Sequence, residues 1–227
     1  MDELSTRTKA AVPSVSTPAD VAGRASARAR ALRLEHLTVG YNIVEGLIAV
    51  IAATAAVSVA LLGFGVDSFI ESLSGAILIW RLRAESRSST SAAIHALDRK
   101  AERWVGVSFF VLAAYIAWEA AASLVEGRRP EITWIGIGLT VVSIAIMWWL
   151  GAAKRRAAKE LGSRALEADA FQTTVCWWLS LITLGGVGLN AAFGWWWADP
   201  VSALGMSALL LREGREAWNG KPCGNCG

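Results

Sequence analysis

The chain has little charge and few of the residues on which catalysis depends. Of its 227 residues, 18% are charged and only two are histidines, His36 and His95, which we interpret as incidental and not as metal ligands. The sequence has no Walker motif, no Ser-His-Asp arrangement and no zinc-protease helix. We therefore predict that the protein is not an enzyme and holds no prosthetic group. Nucleic acid is also excluded as a partner, because the basic residues flank apolar runs and form no single patch with exposed aromatics.

Apolar sequence is what the chain has in excess. It is 54% hydrophobic, with a mean hydropathy of +0.43 and 12 Trp against 2 Tyr, which is more apolar than a soluble domain of this size. Six stretches approach the roughly 20 residues that a membrane-spanning helix needs. We predict an all-α integral membrane protein whose six transmembrane helices cover about residues 38–56, 58–80, 104–124, 132–151, 166–188 and 195–211.

The basic residues predict the orientation of these helices. Lys and Arg collect on the cytoplasmic side of a membrane protein. With both termini in the cytoplasm, all of the 22 basic residues except Arg128 and Arg129 lie on that side. This distribution favours an even number of spans, and we place the protein in the plasma membrane of a bacterium, in contact with lipid.

The two ends of the chain differ in composition from the apolar middle. We predict a basic tail over residues 1–33, disordered to about residue 20 and then forming an interfacial helix over 21–34. The six-helix domain follows over 34–215, and a short tail over 216–227 leaves no room for a folded C-terminal domain. In this last tail, Cys223 and Cys226 supply half of a tetrahedral metal site. They either capture metal transiently or belong to a solvated tail in which the cysteines are incidental.

Two carboxylates lie one helical turn apart inside the second apolar stretch. A charge at mid-membrane costs about 2.5 to 3.5 kcal/mol on insertion scales, so Asp67 and Glu71 need protons, a partner or a cation. Their spacing puts both side chains on one helix face, where paired oxygens suit a divalent metal ion. The alternative is a pair of neutral acids hydrogen-bonded across helices.

The fifth apolar stretch carries a second line of polar residues. Asp169, Gln172 and Cys176 fall on one helix face. Counting from the predicted helix ends brings Cys176 level with Asp67, and Gln172 level with Glu71. Asp169 is close to the cytoplasmic boundary, as a cap or a carboxylate on the access path. Without its predicted position level with Asp67, Cys176 would be interpreted as a buried cysteine that packs like a small apolar side chain.

Glu45 lies in the first apolar stretch, about a turn and a half into the membrane. It is either an accessory ligand or vestibule carboxylate close to Glu71, or a protonated glutamate with a structural hydrogen bond. The sequence alone does not choose between these alternatives.

Three separated motifs resemble those of one known family. They are Ala60-Leu-Leu-Gly-Phe-Gly-Val-Asp-Ser-Phe-Ile-Glu-Ser-Leu-Ser74, then Ala168-Asp-Ala170 followed by Gln172, Cys176 and Ser180, and lastly Ala198-Asp-Pro200. In this order they are similar to the second, fifth and sixth spans of the cation diffusion facilitators. That family exports zinc and related divalent ions in exchange for protons.

The resemblance implies a metal site made of Asp67, Glu71 and Cys176, with Gln172 as a weak oxygen donor. The family usually has His or Asp and then Asp where this chain has Gln172 and Cys176. A thiolate favours zinc or cadmium over magnesium, calcium or manganese. Zinc therefore leads as the transported ion, while cadmium, cobalt, iron and manganese stay open. The family's cytoplasmic C-terminal domain is not found in this sequence, which puts dimerisation through that domain in doubt and leaves a homodimer open.

Carboxylates and a thiol must lose protons before they bind a metal, so metal and protons compete for the same atoms. The sequence thus predicts a divalent-cation efflux transporter that works by proton antiport and alternating access. The alternative is a membrane metal sensor or partner subunit that binds metal without transporting it.

Overall fold

Six helices account for the structure, a computed structural model that describes residues 18–85 and 91–218. They are α1 (Pro18–Ala56), α2 (Val59–Glu85), α3 (Ser91–Glu126), α4 (Trp134–Leu161), α5 (Arg164–Phe193) and α6 (Ala198–Trp218). Within these described ranges there is no β-strand. A helix satisfies its own backbone hydrogen bonds, as apolar sequence in a bilayer requires. The predicted all-α fold with six helices is confirmed.

Five of these helices are long and apolar enough to cross a membrane. The apolar segments are Ala25–Ala56, Val59–Ala84, Gly106–Glu126, Trp134–Leu161 and Ala165–Phe193. The sixth helix forms as predicted, but it is not among the five. Its second half carries Arg212, Glu213, Arg215 and Glu216, and these charges lower its mean hydropathy. The sixth membrane crossing and the cytoplasmic position of both termini stay predictions.

The first helix is longer at its beginning than the sequence analysis expected. The basic stretch over 21–34 is not a separate interfacial helix, because α1 runs without a break from Pro18. Ala27 and Ala31 lie one turn apart on its buried side, and Ala31 packs with Leu78 of α2 and Leu166 of α5. Small residues at this spacing let helices approach closely. Residues 1–17 lie outside the described part of the chain.

The core lies where five helices meet. α1 packs on α2, α3 on α6 and α4 on α5, and contacts of α2 and α5 with each other and with α6 join the pairs. The main apolar cluster contains Phe64, Ile116, Leu179 and Met206, each fully or almost fully buried. This packing places α2 and α5, the helices with the predicted metal ligands, side by side.

Glycine allows the close approach of α1 and α2. A Cβ atom on Gly65 would lie 2.9 Å from Cβ of Ala49 and 3.1 Å from the backbone nitrogen of Val50. A larger residue at this position would separate the two helices. Gly65 precedes Asp67 by two residues, so this contact also fixes the depth of Asp67 in the bundle.

Asp199 joins α6 to the start of α2. Its carboxylate accepts hydrogen bonds from the Ser58 hydroxyl at 2.5 Å and from the backbone N–H of Val59 at 2.9 Å and of Ala60 at 3.4 Å. Asp199 itself is almost fully buried. It caps α2, although the sequence places it at the beginning of its own helix. The hydrogen bonds of Asp199 lie at the short turn between α1 and α2, which consists only of Val57 and Ser58. Val57 has a φ of 54° in this turn.

We expect Asp199→Ala to lower the free energy of unfolding by about 2 kcal/mol. A lost N-cap costs about 0.5 to 2 kcal/mol, and a buried donor without its acceptor costs about 1 to 3 kcal/mol. Asp199→Asn keeps one acceptor oxygen and should lose less. Thermal unfolding of the protein in detergent measures both. Equal melting temperatures for wild type, Ala and Asn variants would contradict the capping role.

Candidate metal centre

The carboxylates of α2 lie together on its buried face. Asp67 is 3% exposed and Glu71 is 1% exposed, and they stand one turn apart as their spacing predicts. Ser68 and Ser72 follow each of them in sequence and are also buried, with their hydroxyls hydrogen-bonded to backbone oxygens of the preceding turn. Two acids thus occupy the buried face of α2, within its apolar stretch.

Asp67 meets Cys176 of α5. The Cys176 Sγ atom donates a hydrogen bond to Oδ2 of Asp67 at 3.2 Å, and Cys176 is 5% exposed. The two side chains therefore face each other across the α2–α5 contact, inside the bundle and away from lipid. An anionic oxygen and a sulfur atom at this distance are a pair of ligands that a metal ion can share once the thiol loses its proton.

Glu71 meets Thr173 of α5 and not Gln172. The Thr173 hydroxyl donates to Oε1 of Glu71 at 2.9 Å. Oε2 of Glu71 is buried and has no hydrogen-bond partner among the described residues. The Gln172 side chain instead accepts a hydrogen bond through its Oε1 from the Ser74 hydroxyl, also at 2.9 Å. The structure therefore does not bring the oxygen of Gln172 to the Asp67–Cys176 pair.

Glu45 of α1 contacts α2 at the turn that carries Asp67. Its Oε1 accepts from the Tyr41 hydroxyl at 2.8 Å, and its Oε2 accepts from the Ser68 hydroxyl at 3.1 Å. Both carboxylate oxygens thus have partners, and the side chain is 2% exposed. Both interpretations of Glu45, an accessory or vestibule carboxylate and a glutamate with a structural hydrogen bond, stay predictions. The carboxylate of Glu45 thus contacts Ser68, the residue that follows Asp67, and is not in direct contact with Cys176.

Asp169 is part of a charged cluster that the sequence analysis missed. Lys154 of α4 lies 2.5 Å from Oδ2 of Asp169 and 3.1 Å from Oε2 of Glu35, which belongs to α1. Lys154 and Glu35 have no exposed surface. The sequence analysis counted Lys154 only as a cytoplasmic basic residue and did not single out Glu35. The sequence does carry one signal that could have identified Glu35, because it is an acid at the end of an Arg-rich segment.

The ligands are therefore only partly assembled. Within residues 18–85 and 91–218, no group of three His, Cys, Asp or Glu side chains is close enough together to hold a metal ion. Asp67 and Cys176 are in contact, Glu71 has one oxygen available a turn away, and Gln172 is directed to Ser74. Cys223 and Cys226 lie outside the described residues. The arrangement offers one oxygen and one sulfur ligand, with a second carboxylate, that of Glu71, close by.

The similarity to known proteins covers most of the chain. Residues 36–218, which include the second half of α1, all of α2 to α6 and the Asp67–Cys176 pair, match the cation efflux transmembrane domain. The chain belongs to the cation efflux family. This family, the cation diffusion facilitators, is the one that the motifs of α2, α5 and α6 resemble, and the prediction is confirmed.

Two curated relatives give the extent of the similarity to other family members. An uncharacterized transporter of Synechocystis sp. is 30% identical over 162 residues, which cover 69% of this chain and 52% of the relative. Transmembrane protein 163 of Xenopus laevis is 28% identical over 150 residues, or 65% of this chain and 51% of the relative. The chain thus spans about half the length of these curated relatives.

Proposed function

We propose that this cation efflux protein carries a divalent metal ion, with Zn²⁺ as the leading cargo, across a bacterial plasma membrane in exchange for protons. The observation that carries the proposal is the 3.2 Å contact between Cys176 Sγ and Asp67 Oδ2, buried between α2 and α5. Membership of the cation efflux family supports transport as the activity. A homodimer is compatible with the proposal and remains a separate prediction.

The ligand atoms favour zinc or cadmium. Asp67 supplies an oxygen and Cys176 a thiolate, and Zn²⁺ accepts both kinds of ligand, whereas magnesium, calcium and manganese prefer oxygen. Glu71, with its unpartnered Oε2, supplies the third protein ligand after a shift of the α2 and α5 side chains. Three protein ligands with an open fourth position suit an ion that must bind and then leave.

Proton coupling follows from the same contact. The thiol of Cys176 can donate the hydrogen bond to Asp67 only while it keeps its proton. A metal ion can bind only after that proton leaves, and protons from the opposite side can displace the metal. Alternating access, with α2 and α5 moving against the remaining helices, would expose the pair to each side in turn.

Zinc uptake into vesicles tests the function. Purified full-length protein is reconstituted into liposomes with an acidic interior, and the entry of Zn²⁺ is followed by an enclosed fluorescent indicator. We expect uptake that stops when a protonophore collapses the pH gradient. Protein-free liposomes are the control. Uptake at the same rate with and without the gradient would contradict antiport while leaving transport intact.

A second candidate function is a membrane metal sensor or partner subunit. It is favoured by the incomplete ligand set, since no group of three His, Cys, Asp or Glu side chains in the described residues could hold a metal ion. This function predicts Zn²⁺ binding to the purified protein without uptake into liposomes. Binding and uptake measured on one preparation therefore separate the two functions.

A further inference from the structure

Three charged side chains from three helices meet in the interior, apart from the Asp67–Cys176 pair. The ammonium of Lys154 (α4) contacts one oxygen of Glu35 (α1) at 3.1 Å and one oxygen of Asp169 (α5) at 2.5 Å. The side chains of Lys154 and Glu35 have no exposed surface, and that of Asp169 is 5% exposed. Solvent therefore does not screen these charges.

The cluster has more acceptors than Lys154 can satisfy. With all three groups ionised it carries two negative charges and one positive charge. The second oxygens, Glu35 Oε1 and Asp169 Oδ1, are buried and have no hydrogen-bond partner in the described part of the chain. A buried charge or acceptor without a partner is costly. A divalent ion would neutralise both carboxylates, and it would also provide ligand positions for the two free oxygens.

We propose that Glu35 and Asp169 form a second cation site, and that Lys154 is a tethered cation that occupies it in competition with a divalent metal ion. The site has only carboxylate oxygens as ligands. It therefore selects oxygen-preferring ions such as Mn²⁺, in contrast to the sulfur-containing Asp67–Cys176 pair. Binding of the metal requires the Lys154 ammonium to leave the two carboxylates.

The position of the cluster connects it to the first site. Asp169, Thr173 and Cys176 fall on one face of α5. The Thr173 hydroxyl lies 3.2 Å from the backbone oxygen of Asp169 and 2.9 Å from Oε1 of Glu71. Asp169 and Cys176 are separated by about 10 Å along the helix, at roughly 1.5 Å per residue. A cation at the second site would therefore be within two turns of the Asp67–Cys176 pair.

Lys154 must leave the cluster if the metal is to bind there. It lies seven residues before Leu161, the last residue of α4, at the end of the bundle for which the basic residues predict a cytoplasmic position. Long basic side chains near helix ends extend their charge toward water while the stem stays on apolar surface. On this proposal Lys154 moves its charge toward that end of the bundle, so that it is not left unpaired in the interior.

Counting bound Mn²⁺ in variants of Lys154 tests the proposal. Purified Lys154→Met is titrated with Mn²⁺, and free Mn²⁺ is measured by electron paramagnetic resonance. We expect affinity for one additional Mn²⁺ per chain to rise by on the order of 10-fold or more over wild type, which corresponds to about 1.4 kcal/mol or more of binding free energy. Lys154→Met/Asp169→Asn should lose this gain. Equal Mn²⁺ binding by folded Lys154→Met and wild type would overturn the proposal.

A measurement on the wild-type protein does not depend on the folding of a variant. An amine-acylating reagent is applied with and without saturating Mn²⁺, and modification of Lys154 is measured by mass spectrometry. Lys159 is on the same helix and exposed, so it provides an internal reference. We expect Mn²⁺ to increase modification of Lys154 several-fold relative to Lys159. A rate for Lys154 that Mn²⁺ does not change would show a structural ion pair only and would overturn the proposal.

These results are independent of the proposed transport function. If the Asp67–Cys176 pair binds no metal, a Cys223→Ser/Cys226→Ser protein will bind no Zn²⁺, but Lys154→Met will still gain its Mn²⁺. If the second site does not exist, wild type will bind Zn²⁺ and Lys154→Met will gain nothing. The two outcomes identify which of the proposals has failed.

Discussion

Asp67→Asn should abolish zinc transport and leave the helical bundle folded. The substitution keeps the shape of the side chain and one oxygen that can accept the hydrogen bond from Cys176, which is now 3.2 Å from Asp67. It removes the negative charge that a divalent ion needs. Loss of groups that only support a metal ligand costs about 10- to 100-fold in affinity or activity. Loss of the ligand itself should therefore lower uptake by on the order of 100-fold or more.

Folding and function can be separated in the same experiment. A buried neutral amide is less costly than a buried carboxylate, so Asp67→Asn should melt at or above the wild-type temperature in detergent. Glu126→Gln is the matched control, because it makes the same kind of change at an exposed carboxylate at the end of α3. It should transport like wild type. Wild-type uptake by Asp67→Asn would mean that the carboxylate does not bind the transported ion.

The helices could be predicted from the sequence because each apolar run has one stable solution in a bilayer. Composition did not determine where the helices end. The Arg-rich segment that begins α1 was expected to lie at the membrane surface, yet Ala31 packs it against the bundle. The second difference concerns α6. This helix forms as predicted, but its charged residues leave it outside the candidate membrane spans. Both differences arise where apolar and charged residues share one helix.

The contact between Asp67 and Cys176 could be predicted from depth alone, whereas the partner of Glu71 could not. Gln172 and Thr173 precede Cys176 by four and three residues, and both positions are about one turn away. Neighbouring residues differ by about 100° around a helix, so the rotation of α5 decides which one faces α2. Thr173 faces Glu71, and Gln172 is directed to Ser74.

The cluster of Glu35, Lys154 and Asp169 shows a different limit of sequence reasoning. Each residue lies close to a predicted helix end, where charges were interpreted as evidence of topology or as caps. Their contact depends on the packing of α1, α4 and α5, which no local pattern contains. A buried lysine paired with acids from two other helices can be found only once the helices are assembled.

Cys176→Ser should change which metal the protein prefers. A serine hydroxyl still donates to Asp67, so the contact between α2 and α5 persists, but the soft sulfur ligand is lost. Thiolates select zinc and cadmium, whereas oxygen ligands suit harder ions. We expect Cd²⁺ affinity to fall by on the order of 10- to 100-fold. Mn²⁺ affinity should stay within a few-fold of wild type.

Thiolate coordination can be observed directly through the ultraviolet charge-transfer absorption of a sulfur–cadmium bond. The titration belongs in a Cys223→Ser/Cys226→Ser background, because those are the other two thiols of the chain. In this background the absorption should grow with Cd²⁺ to one ion per chain, and adding Cys176→Ser should remove it. If Cys176 is only a packed side chain, the absorption will be missing before Cys176 is changed, and the serine variant will bind Cd²⁺ as well as its parent. The experiment therefore distinguishes a sulfur ligand from a buried cysteine that fills space.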